Sequence, residues 1–482
     1  MLLYQPVLFI IGVLVMVLGL VMAIPAAVDV VIGSDSAAAF GISAVITFGL
    51  GSIVALANRV EIDILRIRQA FLVTSGSWLA FSLVSTLPFI FAAPHLSFID
   101  ALFETVSGLT TTGSTVLVKL DTMDRGILLW RAMLQWIGGI GIIVTAIIML
   151  PYLKIGGMQI FQMESSDRSE KIFPRAKVIA MSLGAVYLSL SLMCALLYWL
   201  EGMSGFEAVT HAMTTVSTGG YSTSDASLGH FQSPAIQWTA ILFMLAGAVP
   251  FLMYLRLVTG NPREFLQNRQ IRSLLLLLLI TITVLTVWLI LSENVAPGEA
   301  LRLAAFNIVS VVTTTGFATA DYYVWGTLPI VLFFVLTFLG GCTGSTSGAI
   351  KIFRFEIALI VTKNTIFKSL NPHGVQPLRY QGRPVTNEVI RSVVVFIFTF
   401  VLITGLLTVA LGMTGLDFIT AASGAATAMA NVGPGLGPVI GPAGNFAPLP
   451  DSAKILLVIG MLLGRLEIFT ILVLLTPRFW RG

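Results

Sequence analysis

The residues best suited to chemistry are four short runs that end in glycine: Thr110-Thr111-Thr112-Gly113, Ser217-Thr218-Gly219-Gly220, Thr313-Thr314-Thr315-Gly316 and the more diverged Asn431-Val432-Gly433. None contains a carboxylate, a thiol or an imidazole. They offer oxygen. Glycine, lacking a Cβ, adopts backbone angles closed to other residues and so aims successive carbonyls at a common point. Neighbouring Thr and Ser hydroxyls hold that backbone or join the coordination. Rings of carbonyl oxygens replace the hydration shell of a cation, and the missing carboxylates argue for a monovalent one.

The runs recur in register. Residues 103–113 align without gaps with residues 306–316, and seven of the eleven pairs are identical. Thr210 to Gly220 follows the same frame, and Ser423 to Gly433 is the most diverged copy. The closing glycines stand at 113, 220, 316 and 433. Before each lies a stretch suited to a short helix: Phe98 to Leu109, Phe206 to Val216, Glu299 to Val312 and Asp417 to Met429. A helix C-terminus carries partial negative charge, so four converging on one point stabilise a cation there. Any single run reads equally well as a helix-packing motif, since small residues are common at transmembrane interfaces. Four recurrences in register select the filter reading.

These segments need a frame, and the composition says what kind. Of 482 residues 56% are hydrophobic and 10% charged, with a mean hydropathy of +0.95; most of that apolar surface must face lipid. Ten stretches are long enough to cross a bilayer: Val7–Val28, Ala37–Ala57, Phe71–Ala93, Leu128–Leu150, Val178–Leu200, Ile236–Leu257, Ser273–Leu291, Leu328–Ile350, Ser392–Leu411 and Ile455–Thr476. The first lacks a basic leader and a cleavage site, so it is expected to be a retained helix. Placing residues 59–68, 154–177, 256–272, 351–391 and 478–481 on one side gathers 21 of the 27 Lys and Arg there, which makes that side the cytoplasm and both termini cytoplasmic. The net charge of +4 then calls for no nucleic acid.

The expected fold is an all-α polytopic membrane protein of ten transmembrane helices, the last eight forming four helix–pore loop–helix repeats around a central pore. The boundaries are 1–68 for two helices outside the repeat, then 69–160, 161–262, 263–370 with an intramembrane gating loop, and 371–482.

The four glycine-ended loops, extended to Thr115, Thr223, Phe317 and Gly435, resemble the filter loops of the Trk/Ktr/HKT potassium transporter superfamily. The two extra N-terminal spans and the run Gly340-Gly341-Cys342-Thr343-Gly344-Ser345-Thr346-Ser347-Gly348-Ala349-Ile350-Lys351 are similar to its TrkH/TrkG branch. The resemblance covers essentially the whole chain. It implies uptake of K+ and Rb+ across the bacterial inner membrane, with K+ the transported ion and no organic cofactor in this chain. It also implies a homodimer with one pore per protomer, surrounded by lipid, and a cytosolic TrkA-type nucleotide-binding ring that gates it. In plant relatives Ser in the first filter goes with Na+ preference; Gly113 here favours K+ by analogy. The second filter departs from two others in having Gly219 where they have Thr.

The Gly340 to Gly348 run matches the family's loop that blocks the pore beneath the filter, with Lys351 at its end. Arg465 matches an Arg that projects into the pore and opposes cations. Read without the family, the loop is equally a kinked helix packed against a neighbour; the alternative for Arg465 is a structural ion pair away from the path. Glu467, two residues on, points to another face and is a poor partner for it. Asp100, Glu104, Asp121, Asp124, Glu299 and Asp321 are expected near the outer face, mostly solvated or capping pore helices. His211 is expected to be packed and hydrogen-bonded, and Cys194 and Cys342 to fill space. No Walker loop or dinucleotide fingerprint occurs, and no acid–base cluster marks an enzyme. A K+/H+ or K+/Na+ symporter with the same pore, a membrane-embedded enzyme and a non-transporting scaffold are the alternatives.

Overall fold

Lipid offers no hydrogen bonds, so a chain this apolar closes its backbone groups within its own segments. The computed structural model describes residues 4–61, 65–149, 172–258, 260, 262–374 and 377–481. The boundary at 160/161, the end of the fourth expected span at Leu150 and the basic loop as far as Lys171 lie outside them. Seven described helices are long and apolar enough to span a bilayer: Gln5–Ile32, Ser36–Ala57, Ile67–Phe91, Arg125–Ile143, Val178–Leu200, Arg269–Ser292 and Asn387–Met413. Two bent helix pairs are long and apolar enough only together, Pro234–Ala248 with Phe251–Val258 at 95° and Asp451–Arg465 with Phe469–Leu475 at 101°. The remaining expected span is helical only over Thr327–Leu336 and continues as a loop, closed at its neck by a parallel ladder of Leu339–Gly340 against Ile350–Lys351.

The first bend has a plain cause. Pro250 has no N–H to donate, which frees carbonyls at the end of Pro234–Ala248. The second follows Arg465, where Glu467 and Ile468 both take positive φ, a costly conformation for a β-branched residue.

Four short helices stand between the spans: Phe98–Leu109, Gly205–Val216, Pro297–Val312 and Phe418–Ala430. They begin within two residues of the positions expected, and caps account for the differences. Ser204 accepts from the Glu207 N–H and Glu207 answers the Ser204 N–H, a capping box that starts the second helix at Gly205. Pro297 supplies the preset φ of a first helical position. Ser97 and Asp417 cap the first and fourth helices by accepting from Asp100 and Thr420 N–H groups.

The N-terminal hairpin is joined through glycine. A Cβ at Gly12 or Gly19 would come within 2.6 Å of the Ala55 or Phe48 nitrogen, so the two backbones touch as in other small-residue membrane contacts. Asp29, fully buried, ties the hairpin to the rest. Its carboxylate accepts from the Gly126 N–H at 2.8 Å and from the Ser36 hydroxyl at 2.6 Å, so it serves the start of Arg125–Met149 as an N-cap side chain would. Asp29→Ala is expected to cost about 0.5–2 kcal/mol and to shorten the half-life of the detergent-solubilised protein at raised temperature. Unchanged thermal inactivation would remove Asp29 from this role.

Candidate functional site

The four short helices end alike. In each, a residue just past the helix takes a left-handed conformation, the second one at Thr111 (φ 52), Thr218 (φ 52) and Thr314 (φ 59) and the first at Asn431 (φ 55). The following N–H turns back five residues to the helix: Thr112 to Ser107 at 2.9 Å, Gly219 to Thr214 at 2.8 Å, Thr315 to Ser310 at 2.8 Å and Val432 to Thr427 at 3.1 Å. This is the long bond of a Schellman ending, made here with Thr and Asn where Gly is usual, at about 1–2 kcal/mol per non-glycine residue. One residue further, Gly113, Gly220, Gly316 and Gly433 have φ of 85°, 80°, 83° and 114°.

Those glycines interlock. A Cβ on Gly113 would overlap the Gly219 carbonyl oxygen, one on Gly220 that of Thr315, and one on Gly316 that of Val432. On Gly433 it would come within 2.8 Å of the Thr112 oxygen. Each glycine therefore abuts the carbonyl preceding the glycine of the next strand, and the fourth returns to the first. The circuit is closed. It sets the carbonyls of Thr112, Gly219, Thr315 and Val432 at one level, each strand barring a side chain from its neighbour.

Hydroxyls hold the strands from behind. Thr110 and Thr112 hydroxyls lie 2.7 Å apart, and Thr313 and Thr315 hydroxyls 2.8 Å apart. Asn431 Nδ2 donates to the Thr112 hydroxyl at 3.0 Å. In the second strand Ser217 turns to the Thr214 carbonyl, and the amide of Gln135 takes the place a side chain at Gly219 would occupy.

Glu104 corrects an expectation. It is fully buried behind the first strand, with Arg131 Nε at 2.7 Å, and accepts from the Thr115 hydroxyl and the Val116 N–H, both at 3.0 Å. Arg131 also donates to the Ser222 carbonyl and lies 4.1 Å from the Tyr221 ring centre, while the Tyr221 hydroxyl donates to the Glu104 carbonyl. One ion pair thus braces the first two strands. His211 is packed as expected, bonded to the Glu207 carbonyl and the Ser222 hydroxyl, each at 2.9 Å. Asp100 pairs with Lys454 at 2.6 Å. Asp121 lies in the turn ahead of Arg125–Met149, its carboxyl held below its usual range mainly by a hydrogen bond from Ser224.

On one side of the ring is a cavity of about 380 Å³ lined by Gly113, Gly220 and Gly316 and by residues of the loops that follow them. On the opposite side lies the loop from Gly340 to Gly348. Its backbone is satisfied by the bent span: Cys342 N–H donates to the Ala248 carbonyl, Thr346 N–H to that of Gly247, and Phe251 N–H to that of Gly344, at 2.9, 3.1 and 3.0 Å. Gln270 accepts from the Thr343 N–H, and the Ser345 hydroxyl donates to Cys342. Gly341 packs too closely on Ala248 and Ser347 to carry a side chain. The loop also touches three strand bases: Thr218 to the Thr346 hydroxyl at 3.1 Å, Gly348 N–H to the Thr314 hydroxyl at 2.7 Å, and Ala349 N–H to the Ala430 carbonyl at 2.8 Å.

Arg465, the last residue of its helix and buried, donates to the Thr346 carbonyl at 2.8 Å. Lys351 reaches the Ser347 carbonyl. Glu467 faces away from Arg465 and pairs with Arg354 at 2.6 Å. The structure therefore brings the four glycine-ended runs into one ring, and the 340–351 loop and Arg465 to one side of it. Sequence reading missed Gln135, Arg131 and Pro250, of which the Val249–Pro250 step was the one local signal.

The cation transport protein family TrkH matches residues 36–481. The chain is 48% identical to the Trk system potassium uptake protein TrkI of Halomonas elongata over 99% of this chain and 97% of that one. It is 35% identical to the Trk system potassium uptake protein TrkH of Escherichia coli over 98% of each. The crystal structure of the potassium transporter TrkH from Vibrio parahaemolyticus superposes with a TM-score of 0.92 at 33% identity, covering all of both chains.

Removing Arg131 alone leaves Glu104 buried without its partner, a loss of about 3–5 kcal/mol for pairs of this kind. Arg131→Met is expected to yield little monodisperse protein, and Arg131→Met with Glu104→Gln distinctly more. If the second change adds to the damage instead, size-exclusion profiles of the two variants will show it and the bracing role is wrong.

Proposed function

The chain belongs to the TrkH family of cation transport proteins, and from that membership we propose that it takes up K+ through the axis of the four-carbonyl ring. It is a multi-pass membrane protein of potassium transport. The observation that carries the ring's part is the closed circuit of glycine–carbonyl contacts. Four oxygens at one level, each behind a helix C-terminus, offer a dehydrated cation ligands and a partial negative charge.

In this reading K+ sheds water in the outer cavity and binds among Thr110 to Gly113, Ser217 to Gly220, Thr313 to Gly316 and Asn431 to Gly433. It then meets the Gly340–Gly348 loop and Arg465 as the gate. Units 69–160, 161–262, 263–370 and 371–482 each supply one strand, and 1–68 stands outside. The membrane potential drives the ion inward at about 2.3 kcal/mol per charge per 100 mV. Channel-like flux is favoured over coupling because, among the described residues, the carboxylates beside the ring and the loop, Glu104 and Glu467, are engaged by Arg131 and Arg354. We place the protein in the bacterial inner membrane with both termini cytoplasmic, as a homodimer controlled by a cytosolic TrkA-type nucleotide-binding ring.

The test is rubidium-86 uptake into K+-loaded proteoliposomes, competed by external K+ or Na+. The parent is expected to be blocked by K+ and not by Na+. Gly113→Ser should weaken that discrimination, and Gly220→Ala, whose added carbon overlaps the Thr315 oxygen, should abolish uptake. No uptake by folded protein with its partner present would favour a scaffold.

A guanidinium about 4 Å from the ion opposes it by about 1–4 kcal/mol, so Arg465→Ala is expected to raise partner-free uptake at least about fivefold. Unaltered flux would take Arg465 out of the path.

A further inference from the structure

The ring is closed but its four oxygens are not alike. Gln135, from the Arg125–Met149 helix, is fully buried and meets the second strand twice. Its Nε2 donates to the Gly219 carbonyl at 2.6 Å and its Oε1 accepts from the Tyr221 N–H at 3.0 Å. The two bonds bracket Gly220. The amide has one orientation that serves both, since turning it over would set N–H against N–H and oxygen against oxygen. Among the described residues, no hydrogen bond reaches the ring oxygens of Thr112, Thr315 or Val432.

The second strand needs this support because it lacks what the first and third have. There a hydroxyl pair, Thr110 with Thr112 and Thr313 with Thr315, ties the strand to its helix end. The corresponding residues here are Ser217 and Gly219, and a Cβ at Gly219 would fall on the Gln135 amide. The glycine and the glutamine are therefore two halves of one substitution: a side chain from a neighbouring helix replaces one from the strand.

We propose that Gln135 is a positioning residue that sets the ion discrimination of the ring. It fixes where the Gly219 oxygen stands and occupies part of its acceptor capacity, so the cation meets three free carbonyls and one already shared. Selectivity in such filters follows the number, field and freedom of the oxygens, and Gln135 acts on all three at one quadrant. The proposal rests on the ring being the conducting site.

The experiment measures inhibition of rubidium-86 uptake by K+ and by Na+ in proteoliposomes of the full chain, for the parent, Gln135→Glu, Gln135→Ala, Gly219→Thr and Gln135→Ala with Gly219→Thr. Gln135→Glu keeps the acceptor for Tyr221 but sets a second oxygen against Gly219, and is expected to shift the K+/Na+ inhibition ratio about fivefold, the worth of one net hydrogen bond. Gln135→Ala should shift it likewise. Gly219→Thr alone should cut uptake by colliding with the amide. The double variant, which regains a hydroxyl at the strand, should return towards the parent, the signature of coupled positions. A ratio unchanged in both Gln135 variants overturns the proposal, as does a fall in Rb+, K+ and Na+ affinity in equal proportion with no recovery in the double variant. If Gln135→Ala does not fold, the near-isosteric Gln135→Glu decides alone. A parent that does not discriminate K+ from Na+ would sink the ring reading itself, a separate result.

Discussion

Every part of this molecule near its axis is arranged around a space where four side chains are missing. Gly113, Gly220, Gly316 and Gly433 each give up the volume of a Cβ to the carbonyl of the next strand, and all four hold a positive φ that other residues rarely adopt. Two independent demands, room and backbone angle, fall on the same residue in each quadrant. The Schellman endings before them fix where each strand starts, and the Thr and Asn in left-handed conformation keep side chains available for hydrogen bonds where glycine would have none. At three of the four positions that side chain is used: Thr218 and Thr314 bond to the 340–351 loop and Asn431 to the Thr112 hydroxyl.

A second constraint follows from depth. Irregular backbone in the plane of a membrane is tolerated where protein or water meets its polar groups, and the 340–351 loop meets that demand by borrowing from a neighbour. The break at Pro250 frees the Gly247 and Ala248 carbonyls and exposes the Phe251 N–H, and the loop bonds to all three. Two interrupted segments thus satisfy each other. The second break, after Arg465, leaves Glu467 free to reach Arg354, so the segment after the loop and the last span are fastened by one ion pair.

The repeated features were legible and the unique ones were not. Glycine at 113, 220, 316 and 433 could be read because the same backbone problem is solved four times with similar residues, and the short helices because each has an apolar run behind a capping residue or, in the third, a proline. Glu104 and Arg131 could not be matched in advance: their partner positions are 27 residues apart, and an acid in a pore helix looks the same whether it faces water or a buried guanidinium. Gln135 carries no pattern. Its meaning depends on an absence at Gly219, 84 residues away, and only proximity in the fold makes one explain the other. The eighth span, read from Leu328 to Ile350 with an interruption at Gly340–Gly348, loses its helix earlier, at Leu336.

All four strands belong to one polypeptide. In an assembly of identical subunits any change to a ligand appears in every quadrant at once, and a ring of close contacts has little tolerance for four simultaneous alterations. A fourfold site written out in a single gene is free of that rule: one strand can lose a threonine and recruit a helix, another can replace threonine with Asn431, while the rest stay fixed. The departures from symmetry at Gly219 and Asn431 are the kind of single-quadrant drift that this gene architecture permits, and they give selection four separate dials on one ring.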